Sequence, residues 1–167
     1  LSAHLISIAD PVLEQARDVL ENTVILFGWS GRKITSLNKY LHPSSIVMQP
    51  VGSASHEIAD APWGWVLLEH LARLQGKTWQ DICKPQFHTT DQVAGKIAYI
   101  RTHRFAFDDL LHHPGVHRLA APVLDDRGNL LALIGMGATA HSLTSKNVME
   151  KGQILLSFAD QLAKKLS

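Results

Sequence analysis

Apolar positions recur at roughly helical spacing near the start of the chain, at Leu5, Ile8, Val12, Leu13, Ala16, Val19 and Leu20. An apolar stripe of that period marks an amphipathic helix. Asp10 reads as its N-cap with Pro11 at the first helical position, so the pattern predicts a helix over about 11–20 after a shorter helical entry. The period then changes. Thr23 to Trp29 is β-branched and aromatic, Lys33 to Tyr40 alternates, and Ser45 to Gln49 is a third short run, which together predict an antiparallel meander of three strands. Helical spacing returns from Pro62 to Leu74, with Val66, Leu67, Leu71 and Leu74 on one side. A short helical piece over Thr78 to Cys83 is stopped by Pro85, and Thr90 or Asp91 starts a helix that reaches about Thr102.

Arg104 to Asp109 reads as a short strand ending in two acids. His117 to Leu124 and Leu130 to Met136 are strands joined by the hairpin turn Asp125-Asp126-Arg127-Gly128-Asn129. The second of them is nearly all apolar, which places it at the centre of a sheet. Thr144 or Ser145 caps a final amphipathic helix whose inward residues are Val148, Ile154, Leu155, Phe158, Leu162 and Leu166. The sum is an α+β domain, an antiparallel sheet flanked by helices, with no internal repeat or linker.

A length of 167 residues suits one domain, and 46% hydrophobic with 19% charged residues is the composition of a folded one. The net charge of +1 gives no basic field for nucleic acid; only Lys164-Lys165 stand as a basic pair near the end. The single cysteine, Cys83, forms no internal disulfide and fits a cytoplasmic protein. No apolar run is long enough for a bilayer, so no membrane partner is expected.

Motifs for phosphate loops, nucleophile elbows and zinc helices are missing from the sequence. The run His103, Asp108, Asp109, His112, His113, His117 has the residue types for zinc if its loop folds back, but a polar loop between strands is the favoured reading, and no metal or cofactor is expected.

The stretch Phe105-Ala106-Phe107-Asp108-Asp109, then His112, then Gly115-Val116-His117-Arg118-Leu119-Ala120-Ala121-Pro122-Val123, Asp125 and Gly128 resembles the IclR family of bacterial regulators. Those proteins carry Y/F-A/S-x-D-D/E, then E-x-x-x-G-V-x-C-I-A-A-P-V-x-D-x-x-G, in their C-terminal domain. Asp10-Pro11-Val12-Leu13 with Asn22-Thr23-Val24, Val51-Gly52-Ser53 with Gly64, and Leu143-Thr144 extend the resemblance in order over nearly the whole chain.

The resemblance implies a GAF-like effector-binding domain over 1–167, sensing a small metabolite such as a carboxylate or aromatic acid. It also implies a winged helix-turn-helix DNA-binding domain upstream of Leu1, DNA contacts made through that domain, and assembly as a homodimer or homotetramer.

Family ligand contacts cluster on the first Asp of the acidic pair, the Cys of G-V-x-C and two small polar residues of the last core strand. Carried over, Asp108 matches the first, Arg118 stands in place of the Cys, and Gly135 and Gly137 stand in place of the small polar pair. Pro62, Trp63 and Gly64 replace small residues of the pocket helix, and Trp65 replaces a common Lys.

The expected ligand-binding set is therefore Trp63, Gly64, Asp108, Arg118, Gly135 and Gly137. The glycines clear one wall and expose backbone N–H groups, Arg118 offers a planar fork to an acid, and Trp63 or Trp65 supplies an aromatic wall. Against this stand an Arg118–Asp108 pair that is purely structural, glycines kept for close packing, and tryptophans of a core or interface. Two other functions stay open: a GAF-like enzyme using Asp108, His117 and Cys83, and an oligomerisation module without ligand.

Overall fold

The computed structural model describes residues 2–31, 33–43, 54–55, 58–110 and 114–167. Helix α1 (Ser2–Leu20) leads into strands β1 (Val24–Ser30) and β2 (Lys33–Tyr40) and the short β3 (Ala54–Ser55). Helices α2 (Pro62–Gln75) and α3 (Thr90–His103) follow, separated by a 3-10 turn at Trp79–Asp81. Strands β4 (Ala106–Asp108), β5 (Val116–Leu124) and β6 (Leu130–Thr139) complete the sheet, and α4 (Val148–Leu166) ends the chain. All pairings are antiparallel, in the order β3-β2-β1-β6-β5-β4, so the apolar β6 is central as its composition predicts.

Alternation divides the sheet's side chains between two cores. Val24, Leu26, Leu119, Ala121, Ile134 and Met136 face α1 and α4. Ile25, Phe27, Ala106, Ala120 and Leu133 face α2 and α3. The functional argument concerns the second face.

Several boundaries differ from the sequence reading for identifiable reasons. Asp10 is not an N-cap; α1 runs unbroken through Pro11. The Asp10 carboxylate instead accepts hydrogen bonds from the Tyr40 hydroxyl at 2.7 Å and the Asn38 amide at 3.2 Å, tying α1 to β2. Val19 and Leu74, which the helical stripes placed inward, are exposed. The predicted strand over 45–49 lies outside the described residues.

The final helix begins at Val148, later than the predicted cap. Thr144 opens the turn before it, accepting the Val148 N–H on its carbonyl at 3.0 Å. Helix α3 starts from a reciprocal cap, in which the Thr89 hydroxyl accepts the Gln92 N–H at 3.1 Å and the Gln92 side chain accepts the Thr89 N–H at 2.9 Å.

Candidate functional site

Three neighbouring strands bring Asp108, Arg118 and Gly137 side by side: Asp108 pairs with Arg118 across β4 and β5, and Arg118 with Gly137 across β5 and β6. Gly135 lies two residues along β6, opposite Ala120 on one side and Ile25 on the other. All four sit on the face covered by α2. Pro62 occupies the start of that helix, where its missing N–H costs nothing, and Trp63 follows it into the interior.

The Trp63 indole stacks on Phe27 with ring centroids 4.6 Å apart. The Arg118 guanidinium lies over the indole at 5.0 Å, a cation–π contact. The same guanidinium donates from Nε (2.8 Å) and Nη2 (2.6 Å) to Oδ2 of Asp108, while Oδ1 accepts the Leu110 N–H at 3.1 Å. Both charged residues are buried, at 3% and 6% exposure. A buried pair offsets its desolvation only when geometry and further hydrogen bonds are good, as here. The Trp63 Nε1 is buried and has no hydrogen-bond partner among the described residues.

The expected site residues therefore gather, but not in the arrangement expected of each. Gly135 does not leave an open wall. A Cβ there would meet Phe27 at 2.9 Å and Trp63 at 3.0 Å, so the two rings already fill its space, and its strand pairs on both sides. Gly64 packs: its Cα faces the Ile58 carbonyl of a 3-10 turn, Ile58–Asp60, with no room for a side chain. Trp65 is a core residue, donating from Nε1 to the Ala59 carbonyl at 2.7 Å, so Trp63 alone supplies the aromatic wall. Phe27 is the member of this face that sequence reasoning missed; only strand register reveals that it meets Trp63.

The alternative enzymatic set is dispersed. His117 lies on the opposite face of the sheet from Asp108 and Arg118, its Nδ1 at 2.6 Å from the Leu143 carbonyl and its ring edge-on to Phe107. Cys83 is partly exposed beside the Trp79–Asp81 turn. Of the histidine-rich run, His103 packs against Tyr99 and Phe105, Asp109 pairs with Lys96, and His112 and His113 lie outside the described residues. Among the described residues no three His, Cys, Asp or Glu gather as a metal site.

A second buried acid supports the α2 end of the site. Asp60 accepts backbone N–H bonds from Gln86, Phe87 and His88 at 2.7–3.0 Å, and lies 2.9 Å from the His88 Nδ1. Burial pulls its carboxyl upward, but these donors together outweigh burial and hold it below its ordinary value. A depressed folded value adds stability that is complete above the ordinary 3.8 and lost as pH falls through the lower folded value. As pH falls below about 4 the melting midpoint of Asp60→Asn should fall less steeply than that of the parent. Parallel curves would remove Asp60 from the acid response.

No family model and no curated protein matches the sequence. Solved structures match the fold. The domain of an IclR-family transcriptional regulator superposes with a TM-score of 0.78 at 18% identity, covering 96% of this chain and 95% of that one. The Thermotoga maritima IclR matches with a TM-score of 0.80 at 19% identity, over 97% of this chain and 68% of its own. The Agobacterium tumefaciens repressor BlcR matches at 0.77 and 19%, over 97% and 66%. The chain has the α+β fold of IclR C-terminal domains; at these identities the likeness is one of fold. No described helix is long and apolar enough to cross a membrane.

Proposed function

We propose that this chain is the small-molecule-sensing domain of an IclR-type transcription regulator, with the effector taken at the face formed by Trp63, Asp108, Arg118, Gly135 and Gly137. The observation that carries this reading is the buried Asp108–Arg118 pair beneath an indole whose N–H has no partner among the described residues. A guanidinium fork, an aromatic ring and a spare N–H donor suit an acid with a planar body. Such a ligand would compete with Asp108 for Arg118 and displace the Trp63 ring from Phe27, coupling occupancy to the start of α2.

A winged helix-turn-helix domain upstream would make the DNA contacts, in a homodimer or homotetramer. The ligand would act by preferring one arrangement of that assembly, by no more than its difference in affinity between arrangements. The placement of His117 on the far face from Asp108 argues against a shared acid–base site. The filled space over Gly135 favours one other reading, an assembly module that binds no effector.

Thermal melting with benzoate, phenylacetate, succinate and related acids separates the two readings. A ligand at about a hundred times its dissociation constant adds roughly 2.7 kcal/mol, which at this chain length raises the midpoint by about 5–10 °C. The shift should vanish in Asp108→Asn/Arg118→Met. No shift with any acid, in a protein that still assembles by sedimentation, would support the assembly module.

A further inference from the structure

We propose that the cleft between α2 and α3 is a second ligand site, separate from the Trp63–Arg118 face, and that it takes a small polyanion: a phosphate ester or a di- or tricarboxylic acid. The cleft has a topological cause. Strand β4 pairs with β5 only as far as Ala106 opposite Ala120. Beyond that point the chain that would continue the ladder is instead the end of α3, leaving Pro122 and Leu124 of β5 as the floor of a cavity of about 370 Å³.

The walls are basic. Arg73 of α2 and Arg101 and Arg104 at the end of α3 all line the cavity, against one acid, Glu69. Glu69 is already engaged by Arg73 at 3.1 and 3.4 Å. Arg104 forms a loose ion pair with Asp160 at 3.6 Å between exposed side chains, and Arg101 has no partner among the described residues. Three guanidinium groups line the cleft against Glu69 inside it and Asp160 beside it, with two helix C-termini of about half a negative charge each nearby, so the cleft offers an anion guanidinium donors more than a large net charge. Guanidinium forks match carboxylate and phosphate oxygens in pairs.

One further observation points to a ligand. His70 lines the same cavity, is 5% exposed, and keeps its Nδ1 buried without a hydrogen-bond partner among the described residues. Burial, aided by Arg73 and opposed by Glu69, lowers its imidazole below the ordinary value, so at neutral pH it can meet an anion as a neutral group. Arg104 is the left-handed C-cap of α3 at φ 71°, its N–H returned to the Ile100 carbonyl at 2.7 Å, and that cap sets its side chain along the cleft. Concavity distinguishes this feature from a scatter of surface arginines: its volume is of ligand size.

Isothermal titration with inorganic phosphate and, separately, with citrate tests the site, and the stronger binder identifies the preferred source of negative charge. Binding should weaken as sodium chloride rises. It should weaken at least tenfold in Arg101→Gln/Arg104→Gln, whose melting midpoint should change little because both side chains are on the surface and no acid is added beside Asp160. The His70 ring resonances should move on titration of the parent and stay still in that variant. Benzoate binding at the Trp63 face, where present, should be the same in both proteins. Absence of heat with both anions, or equal affinity in a folded variant, would overturn the proposal.

Discussion

Arg118→Met is expected to destabilise the domain by about 3–5 kcal/mol, lowering the melting midpoint by roughly 6–20 °C. The cost does not come from a strong attraction lost. It comes from the Asp108 carboxylate, 3% exposed, left charged with only the Leu110 N–H as a further donor among the described residues. The Trp63 ring loses its cation as well, a contribution of about 0.5–2 kcal/mol. Asp108→Asn in the Arg118→Met background removes the stranded charge while keeping an oxygen for Leu110. The double variant should therefore be more stable than Arg118→Met alone, and the two changes should fall short of additivity by more than about 2 kcal/mol. Additive losses in urea titration would show that the two residues are not energetically coupled, whatever their geometry.

The same pair sets how the proposed sensing would work. An effector acid cannot simply occupy a vacant fork, since both Arg118 donors that reach Asp108 are in use. Binding has to exchange one carboxylate for another, which keeps the buried charge balanced only if Asp108 takes up a proton or a new partner. Affinity should then rise where Asp108 can be neutralised, and an Asp108→Asn protein that folds should bind acids more tightly than the parent. Under the proposed function, specificity would lie in the competition between an internal and an external carboxylate, and the Trp63–Phe27 stack would add a requirement for a planar body able to replace the ring contact.

How much of this could be read from sequence depends on whether a feature is local or lies in register. Strand β2 followed from alternation, β1 from its β-branched and aromatic run, β5 and β6 from the runs either side of a hairpin turn, and the Asp125–Asn129 turn from its residues: the Asp125 carboxylate accepts the Arg127 and Asn129 N–H groups, and Gly128 takes φ 80°. Asp108 and Arg118 were named from their places in a motif, and their alternative role as a pair was visible in the same residues. The errors were tertiary. Asp10 carries the residue type of a cap, but its partners are Tyr40 and Asn38, roughly thirty residues away. Gly135 has the signature of an open wall, but what fills it, Phe27 and Trp63, comes from another strand and another helix. The arginine cleft gave no sequence signal at all, because Arg73 and Arg101 come to line one cavity only when β4 begins late, at Ala106, and leaves α2 and the end of α3 over β5.

Gly64→Ala is expected to be among the most damaging single methyl additions to this chain. An ideal Cβ at this position falls 1.7 Å from the Ile58 carbonyl oxygen and 2.5 Å from its carbon, both backbone atoms that no rotamer change can move aside. Helix α2 and the Ile58–Asp60 turn would have to separate. That turn holds two anchors of the site, the Ala59 carbonyl that accepts the Trp65 indole N–H and the Asp60 carboxylate that binds residues 86–88, so separation breaks both. Overpacking commonly costs 1–3 kcal/mol, and a clash with backbone on both sides belongs at about 3 kcal/mol or above. Gly95→Ala supplies the opposite sign. Gly95 is an exposed position inside α3 with nothing within 4 Å of its Cβ, and alanine there should stabilise by about 0.5–1 kcal/mol. If Gly64→Ala melted close to the parent, the contact between α2 and the Ile58–Asp60 turn would be looser than drawn, and Trp63, one residue before Gly64, would lose the rigid support on which the proposed effector face depends.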